Sequence, residues 1–209
     1  MQFDDLQLNI FDGTAIYTTN VDEAESWGVE VDFHWLPPVP WLTLQGSLGF
    51  NETRYGDFPC GPTTWDDDDA LPECGQNTAP SQDLSGKELP YNPEVSASLT
   101  PTIRFPIIPA LGIGGMFALD VIHQGEHYLD YDLDEKTKQE ATTKINARLA
   151  LGPENRRWAV IFNAKNLTEE QERLLVLDAI LQGGNYVAIT RPDEVQYSVD
   201  FRYNFGHLD

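Results

Sequence analysis

A chain of 209 residues with 34 acidic and 13 basic side chains, a formal net charge of −21, is poorly suited to nucleic acid, whose phosphates must be neutralised by lysine and arginine. Hydrophobic residues make up an ordinary 41%, and no apolar run approaches the ~20 residues of a membrane helix, which excludes a helical membrane protein but not a β-barrel. No G-x-S-x-G, H-E-x-x-H or glycine-rich phosphate loop occurs, so the chain is expected not to be an enzyme.

Taken in order, the chain alternates between polar and apolar positions with the period of two that marks β-strands. Met1 to Asp5 lacks the basic and apolar regions of a signal peptide, which predicts either a segment of a longer protein or a chain whose signal has been removed. Phe3 to Ile10 forms a first strand, with Leu6, Leu8 and Ile10 on one face; Phe11 to Ser26 reads as a polar connection. Gly28 to Leu36 sets Val29, Val31, Phe33 and Trp35 against Glu30, Asp32 and His34, and stops at Pro37-Pro38, because proline fixes φ and removes a donor. Leu42 to Asn51 alternates again. Gly56 to Glu88 has no period and contains Cys60, Cys74 and the run Asp66, Asp67, Asp68 and Asp69.

Val95 to Phe105 and Leu111 to Val121 are the next strands, joined by a short turn over Pro106 to Ala110. An acidic connection, His127 to Glu140, leads to Lys144 to Leu151, a turn over Gly152 to Arg157, and Trp158 to Asn166. Thr168 to Gly184 is the last long connection. The final strand, Val195 to Phe205, places Val195, Tyr197, Val199, Phe201, Tyr203 and Phe205 on one face and only polar residues on the other. Its length is that of a tilted strand crossing a bilayer, where about 9–11 residues suffice.

About eight strands result, with connections that alternate short and long. This predicts an all-β fold, an antiparallel transmembrane β-barrel with tight turns on one side and long loops near 11–26, 56–88, 127–140 and 168–184 on the other. Trp35, Trp41, Tyr55, Phe58, Phe105, Trp158, Tyr203 and Phe205 fall near strand ends, as the membrane-interface aromatics of such a wall would. Two competing readings are a self-contained eight-stranded outer-membrane barrel with an adhesion or structural role, and a soluble carbohydrate-binding β-sandwich.

Several segments resemble, in order, those of TonB-dependent outer-membrane receptors. They are Asn20 to Ala24 with Ser26 and Gly28-Val29-Glu30; Leu42 to Phe58, ending N-E-T-R-Y-G-D-F; D-L-S-G-K-E-L-P-Y-N-P from Asp83 to Pro93; Asn163 to Thr168; and Arg191-Pro192 followed by Tyr203-Asn204-Phe205. The resemblance implies the C-terminal part of a 22-stranded barrel in the cell outer membrane, facing lipid. It has no counterpart to the family's plug, TonB box or first strands. It implies as partners the plug and remaining barrel strands, the TonB complex acting through the plug, and a small-molecule ligand such as a ferric siderophore or saccharide. The function implied is energy-coupled uptake of a scarce nutrient.

The residues themselves give few sites. Cys60 and Cys74, in one Gly/Pro-rich segment, fit a disulfide that pins a surface loop in an oxidising compartment. Asp66 to Asp69 is a solvated loop tip that could bind Ca²⁺ through carboxylate oxygens, although it lacks EF-hand spacing; no other cofactor is expected. Trp65 beside it could stack on a ligand. His123 and His127, four apart in a strand, would be ~13 Å apart and too far for one metal. Glu30, Asp32, Lys144, Arg148, Asp200 and Arg202 alternate toward the presumed lumen, as a hydrated wall or as charge partners of a plug.

Overall fold

The computed structural model describes residues 1–11, 16–63, 81–178 and 186–205. Eight strands form one antiparallel sheet: β1 (Gln2–Phe11), β2 (Ile16–Trp35), β3 (Leu42–Tyr55), β4 (Val95–Ile108), β5 (Ile113–Gln124), β6 (Thr142–Pro153), β7 (Trp158–Lys165) and β8 (Gln196–Tyr203). Each pairs with its chain neighbours, so the sheet is an up-and-down meander. It is open, with β1 and β8 at opposite edges, which departs from a closed eight-stranded barrel. A single sheet also departs from a sandwich, which needs two packed faces.

The register explains the two faces. Leu42, Ile103, Phe117, Leu149, Phe162 and Val199 lie opposite one another across six strands, and each is apolar. The rows on the other face carry Ser47, Ser98, Thr102, Arg148, Asn163 and Ser198. Large apolar side chains on the same face as the first set stand in the open: Tyr197 is 75% and Phe201 69% exposed. A contiguous exposed apolar band of this kind marks a surface that meets lipid or protein.

Two glycines on the apolar face lie beneath aromatic rings of the neighbouring strand. A Cβ on Gly46 would lie 2.7 Å from Phe33 Cε1 and 2.6 Å from the Ser98 carbonyl oxygen; one on Gly115 would lie 2.6 Å from the Phe105 ring. An aromatic ring over a glycine restores the contact area that the missing side chain gives up. Gly46→Ala is therefore expected to destabilise the sheet by about 1–3 kcal/mol, as overpacking does, read as a lower urea midpoint of tryptophan emission. An unchanged midpoint would show that Phe33 swings away freely.

Strand β2 begins at Ile16, whereas the sequence pattern predicts a polar connection through Ser26. Its first half pairs with β1, from Phe11↔Ile16 to Gln2↔Glu25. Polarity on both faces hides a strand from a hydrophobicity count, but the paired backbone is satisfied all the same. Asp5 has φ 56° and no partner in the β1 register, a local break in the ladder. The other predicted strands agree with the sheet to within a few residues. Arg173–Asp178, inside the last long connection, pairs with Tyr186–Thr190 as a separate hairpin.

The three short connections all lie at one end of the sheet. The second is a 3-10 turn, Pro109–Leu111, closed by Gly112 at φ 58°, in the left-handed region that favours glycine. The long connections lie at the other end and carry the small hairpins Gly61–Pro62 with Ser81–Gln82, His127–Tyr128 with Lys138–Gln139, and Arg173–Asp178 with Tyr186–Thr190. The buried apolar cluster sits there too, above the wall rather than inside it. No helix among the described residues is long and apolar enough to cross a membrane, which leaves strand-crossing untouched.

Candidate functional site

The long-loop end is a built structure, assembled from the same segments that stand out in the sequence. Tyr55 and Phe58, expected as interface aromatics, are instead 2% and 4% exposed, with rings 5.3 Å apart, against Leu8, Ile10, Val21 and Leu84. The polar face of the wall, continued past the bilayer-length segment, becomes the inner lining of this end and needs its own apolar core. Leu6, Leu8 and Ile10 of β1 supply that core rather than an outward band.

Asp83 to Pro93 folds back along the upper end of β3. Asp83 Oδ1 accepts from the Ser85 amide at 2.9 Å, and Ser85 Oγ accepts from the Phe58 amide at 2.9 Å. Gly86 takes φ 71°, and the Tyr55 amide donates to the Lys87 carbonyl at 2.9 Å. Leu84 is thereby pressed into the cluster, 1% exposed. The Asp83 carboxyl is held below its ordinary pKa by the Ser85 hydrogen bonds.

A side-chain ladder ties three motifs together. Ser26 Oγ donates to Asn51 Oδ1 at 3.1 Å, and Asn51 Nδ2 donates to Asn92 Oδ1 at 3.0 Å. Gly28 permits the close approach of β2 to β3, since a Cβ there would lie 2.3 Å from the Phe50 carbonyl oxygen.

Asn166 does the same for the last long loop. At φ 55° it turns the chain out of β7. Its amide donates to Asn146 Oδ1, and its Nδ2 donates to the carbonyls of Glu170 and Asp193, one on each leg of the loop. Glu172 then sits between Lys144 (2.6 Å) and Arg191 (3.1 Å), so Lys144 of the wall is spoken for by a loop.

The loops also hold one another. The Tyr91 amide donates to the Tyr128 carbonyl, Gln82 Nε2 donates to the Asp132 carbonyl, and the Arg173 amide donates to Gln139 Oε1. Tyr91 and Tyr131 meet edge to face at 6.1 Å, and burial pushes the Tyr91 hydroxyl up to about 12. Burial also raises the Tyr55 hydroxyl, which has no hydrogen-bond partner.

Beside this rim, Glu88, Glu94, Glu126, His123 and Lys138 line a cavity of about 400 Å³. Lys138 pairs with Glu126 at 2.8 Å, and that hydrogen bond raises its pKa. Burial raises the Glu88 carboxyl; Lys138 opposes the shift while Glu94 and Glu126 add to it. A raised folded-state pKa means the folded protein holds this proton more tightly than the unfolded chain. Glu88 therefore favours folding most when protonated, and its contribution declines as pH rises from about 4.3 through the raised value. In thermal melts, Glu88→Gln is expected to gain stability relative to wild type across that rise; parallel pH profiles would refute the assignment.

His123 Nδ1 contacts Thr143 Oγ1 at 2.9 Å and His127 Nδ1 contacts the Gly125 carbonyl at 3.1 Å, so both are engaged locally. No group of metal ligands occurs among the described residues. Trp65, Asp66, Asp67, Asp68, Asp69 and Cys74 lie outside the described residues, and with them the acidic Ca²⁺ candidate; none of the described cysteines is free.

The remaining interface aromatics, Trp35, Trp41, Phe105, Trp158, Tyr203 and Phe205, gather at the short-turn end, where the tilted rings of Tyr203 and Phe205 meet at 4.7 Å and Arg157 lies over Tyr203. Trp27, not singled out by alternation, pairs with Phe50 at 5.5 Å at the opposite end. On the polar face, Glu30 and Asp32 stand on β2, and Asp200 accepts from Asn163 Nδ2 at 2.8 Å. Arg148 and Arg202 join Arg104 and Arg156 around one concavity near the short turns.

Against known proteins, residues 1–167 match the family described as TonB dependent receptor-like, beta-barrel. No curated protein matches. Among solved structures, the ferric yersiniabactin uptake receptor FyuA from Yersinia pestis superposes with a TM-score of 0.69 at 16% identity, over 98% of this chain and 26% of that one. The chain thus spans about a quarter of that receptor's length, and the likeness is one of fold.

Proposed function

Because the chain belongs to the TonB-dependent receptor-like β-barrel family, we propose that it forms part of the wall and outer rim of an outer-membrane receptor that takes up a scarce nutrient. The observation that carries this is the division of one sheet into an exposed apolar face and a hydrated polar face, with the long loops interlocked at one end only. The apolar face meets lipid and the polar face lines the lumen. The remaining wall continues from the two open edges, a plug fills the lumen, and TonB acts through that plug. The interlocked rim gives the ligand a fixed mouth, which limits the ordering cost of binding.

A ferric siderophore is the ligand class favoured by the fold likeness, with a saccharide as the alternative. Trp65 and Asp66 to Asp69 are candidate ligand contacts. The test uses the receptor polypeptide carrying this segment. It should sediment with outer membranes, migrate faster on gels when unheated, and bind a radiolabelled ferric siderophore from a panel. Recovery in the soluble fraction without detergent would overturn the barrel reading; binding of oligosaccharides alone would change the ligand class.

Pairing of Cys60 with Cys74 belongs to the same proposal. Closing a loop of roughly 15 residues contributes about 3 kcal/mol. Mass labelling with a thiol reagent should modify neither cysteine before reduction and both after it; two labelled thiols without reductant would rule the bond out.

A further inference from the structure

We propose that Arg157 is a phosphate anchor for an anionic glycerophospholipid at the short-turn margin of the outward face, an inference that rests on the barrel-wall reading above. Tyr203 belongs to the outward row of side chains: it lies opposite Trp158, as Phe201 lies opposite Val160 and Val199 opposite Phe162. Arg157 stands over the Tyr203 ring, its guanidinium carbon 5.9 Å from the centroid, and its Nε donates to the Tyr203 hydroxyl at 3.1 Å. The guanidinium is therefore held against the outward face, where the apolar band ends. Beside it Phe205, 91% exposed, meets the Tyr203 ring at 4.7 Å.

The charge lacks a counter-ion on the protein. The chain carries 34 acids against 13 bases, yet among the described residues no carboxylate pairs with Arg157, not even Glu154 of the same turn. The backbone that presents it is fixed. The Arg157 amide donates to Asn155 Oδ1 at 3.1 Å, its carbonyl accepts from the Asn204 amide at 2.9 Å, and Asn204 Nδ2 donates to the Arg156 carbonyl at 2.7 Å. Tyr203 engages only Nε, so the two terminal nitrogens of the fork have no protein acceptor among the described residues. Such a fork takes two oxygens of one phosphate through parallel hydrogen bonds. The occupant is a lipid rather than a free anion because the same guanidinium adjoins the apolar band and two exposed rings. A phosphate with acyl chains attached meets all three at once, at the level where amphipathic rings sit in a bilayer.

The experiment uses the receptor polypeptide carrying this segment, reconstituted in vesicles with a trace of phosphatidylglycerol or phosphatidylcholine. Each probe bears the same photoreactive diazirine at the glycerol end of one acyl chain, and mass spectrometry locates the cross-links. The phosphatidylglycerol probe is expected to label 157–158 and 203–205 about fivefold more than its phosphatidylcholine counterpart, the factor due to one arginine at a membrane surface. Arg157→Gln should bring the two probes level. Tyr203→Phe, which keeps the ring and removes the acceptor that orients the fork, should lower the preference by less, and it covers an Arg157 variant that fails to fold. Heat-shifted gel migration reports an intact barrel in each case. Equal labelling by both probes in intact wild type overturns the anchor alone, because the rings would then meet lipid without selection. A preference that survives in Arg157→Gln overturns it as well. Loss of the preference on adding inorganic phosphate would make this a free-anion site and overturn the lipid assignment. A wild-type polypeptide that stays soluble without detergent and is labelled by neither probe removes the barrel-wall reading and the anchor together.

Discussion

Leu119→Arg is expected to cost the folded barrel about 2–4 kcal/mol, the penalty for arginine on a lipid-facing strand near the bilayer midplane. Leu119 lies midway along β5 on the apolar face, opposite Ala147 of β6. The neighbouring polar-face position offers the control. Thr100 donates to Asp120 Oδ1 at 2.9 Å, so Thr100→Lys places its ammonium next to an acid on a hydrated wall and should cost little. Urea titrations in lipid vesicles, followed by tryptophan emission, compare the two directly. Similar midpoints for both variants would mean that the faces are not solvated differently, and the lipid assignment would fail with them.

Leu84→Ala is expected to destabilise the long-loop end by about 2–5 kcal/mol, the usual range when a buried leucine leaves a cavity. Leu84 belongs to the buried cluster that holds Tyr55 and Phe58 and lies so near Gly61 that a Cβ there would meet Leu84 Cδ1 at 2.4 Å. Loss of that contact releases Asp83 to Pro93 from β3 while leaving the wall strands paired. The expected result is faster proteolysis within 81–93 and weaker ligand binding, with the gel mobility shift of the barrel unchanged. Protease resistance equal to wild type would show that the backbone bonds from Tyr55 and Gly86 hold the segment without the apolar core.

The wall strands were legible because one residue in two must meet an apolar surroundings and the other water, a demand repeated on every pass. The short turns were legible for a related reason: Pro37-Pro38, Pro109 and Gly112 carry backbone constraints that do not depend on context. The ordered motifs pointed to the family, which the match over residues 1–167 bears out. They did not disclose what the motif residues do. Asp83, Ser85 and Gly86 act as a local turn, but the partner of Ser85 is Phe58, 27 positions earlier.

Alternation by itself determined the number of wall strands and, within each recognised strand, which residues share a face, because side chains on a strand point to opposite sides whatever surrounds them. Only the tertiary structure decided which apolar residues face outward and which are enclosed. Tyr55 and Phe58 share the chemistry of Trp35 and Phe105, yet β3 carries the first pair beyond the apolar band to a level where β1 and the Asp83 to Pro93 segment close over them. The gathering of Arg104, Arg148 and Arg202 depends in the same way on strand register, which brings residues nearly a hundred positions apart to one side of one wall.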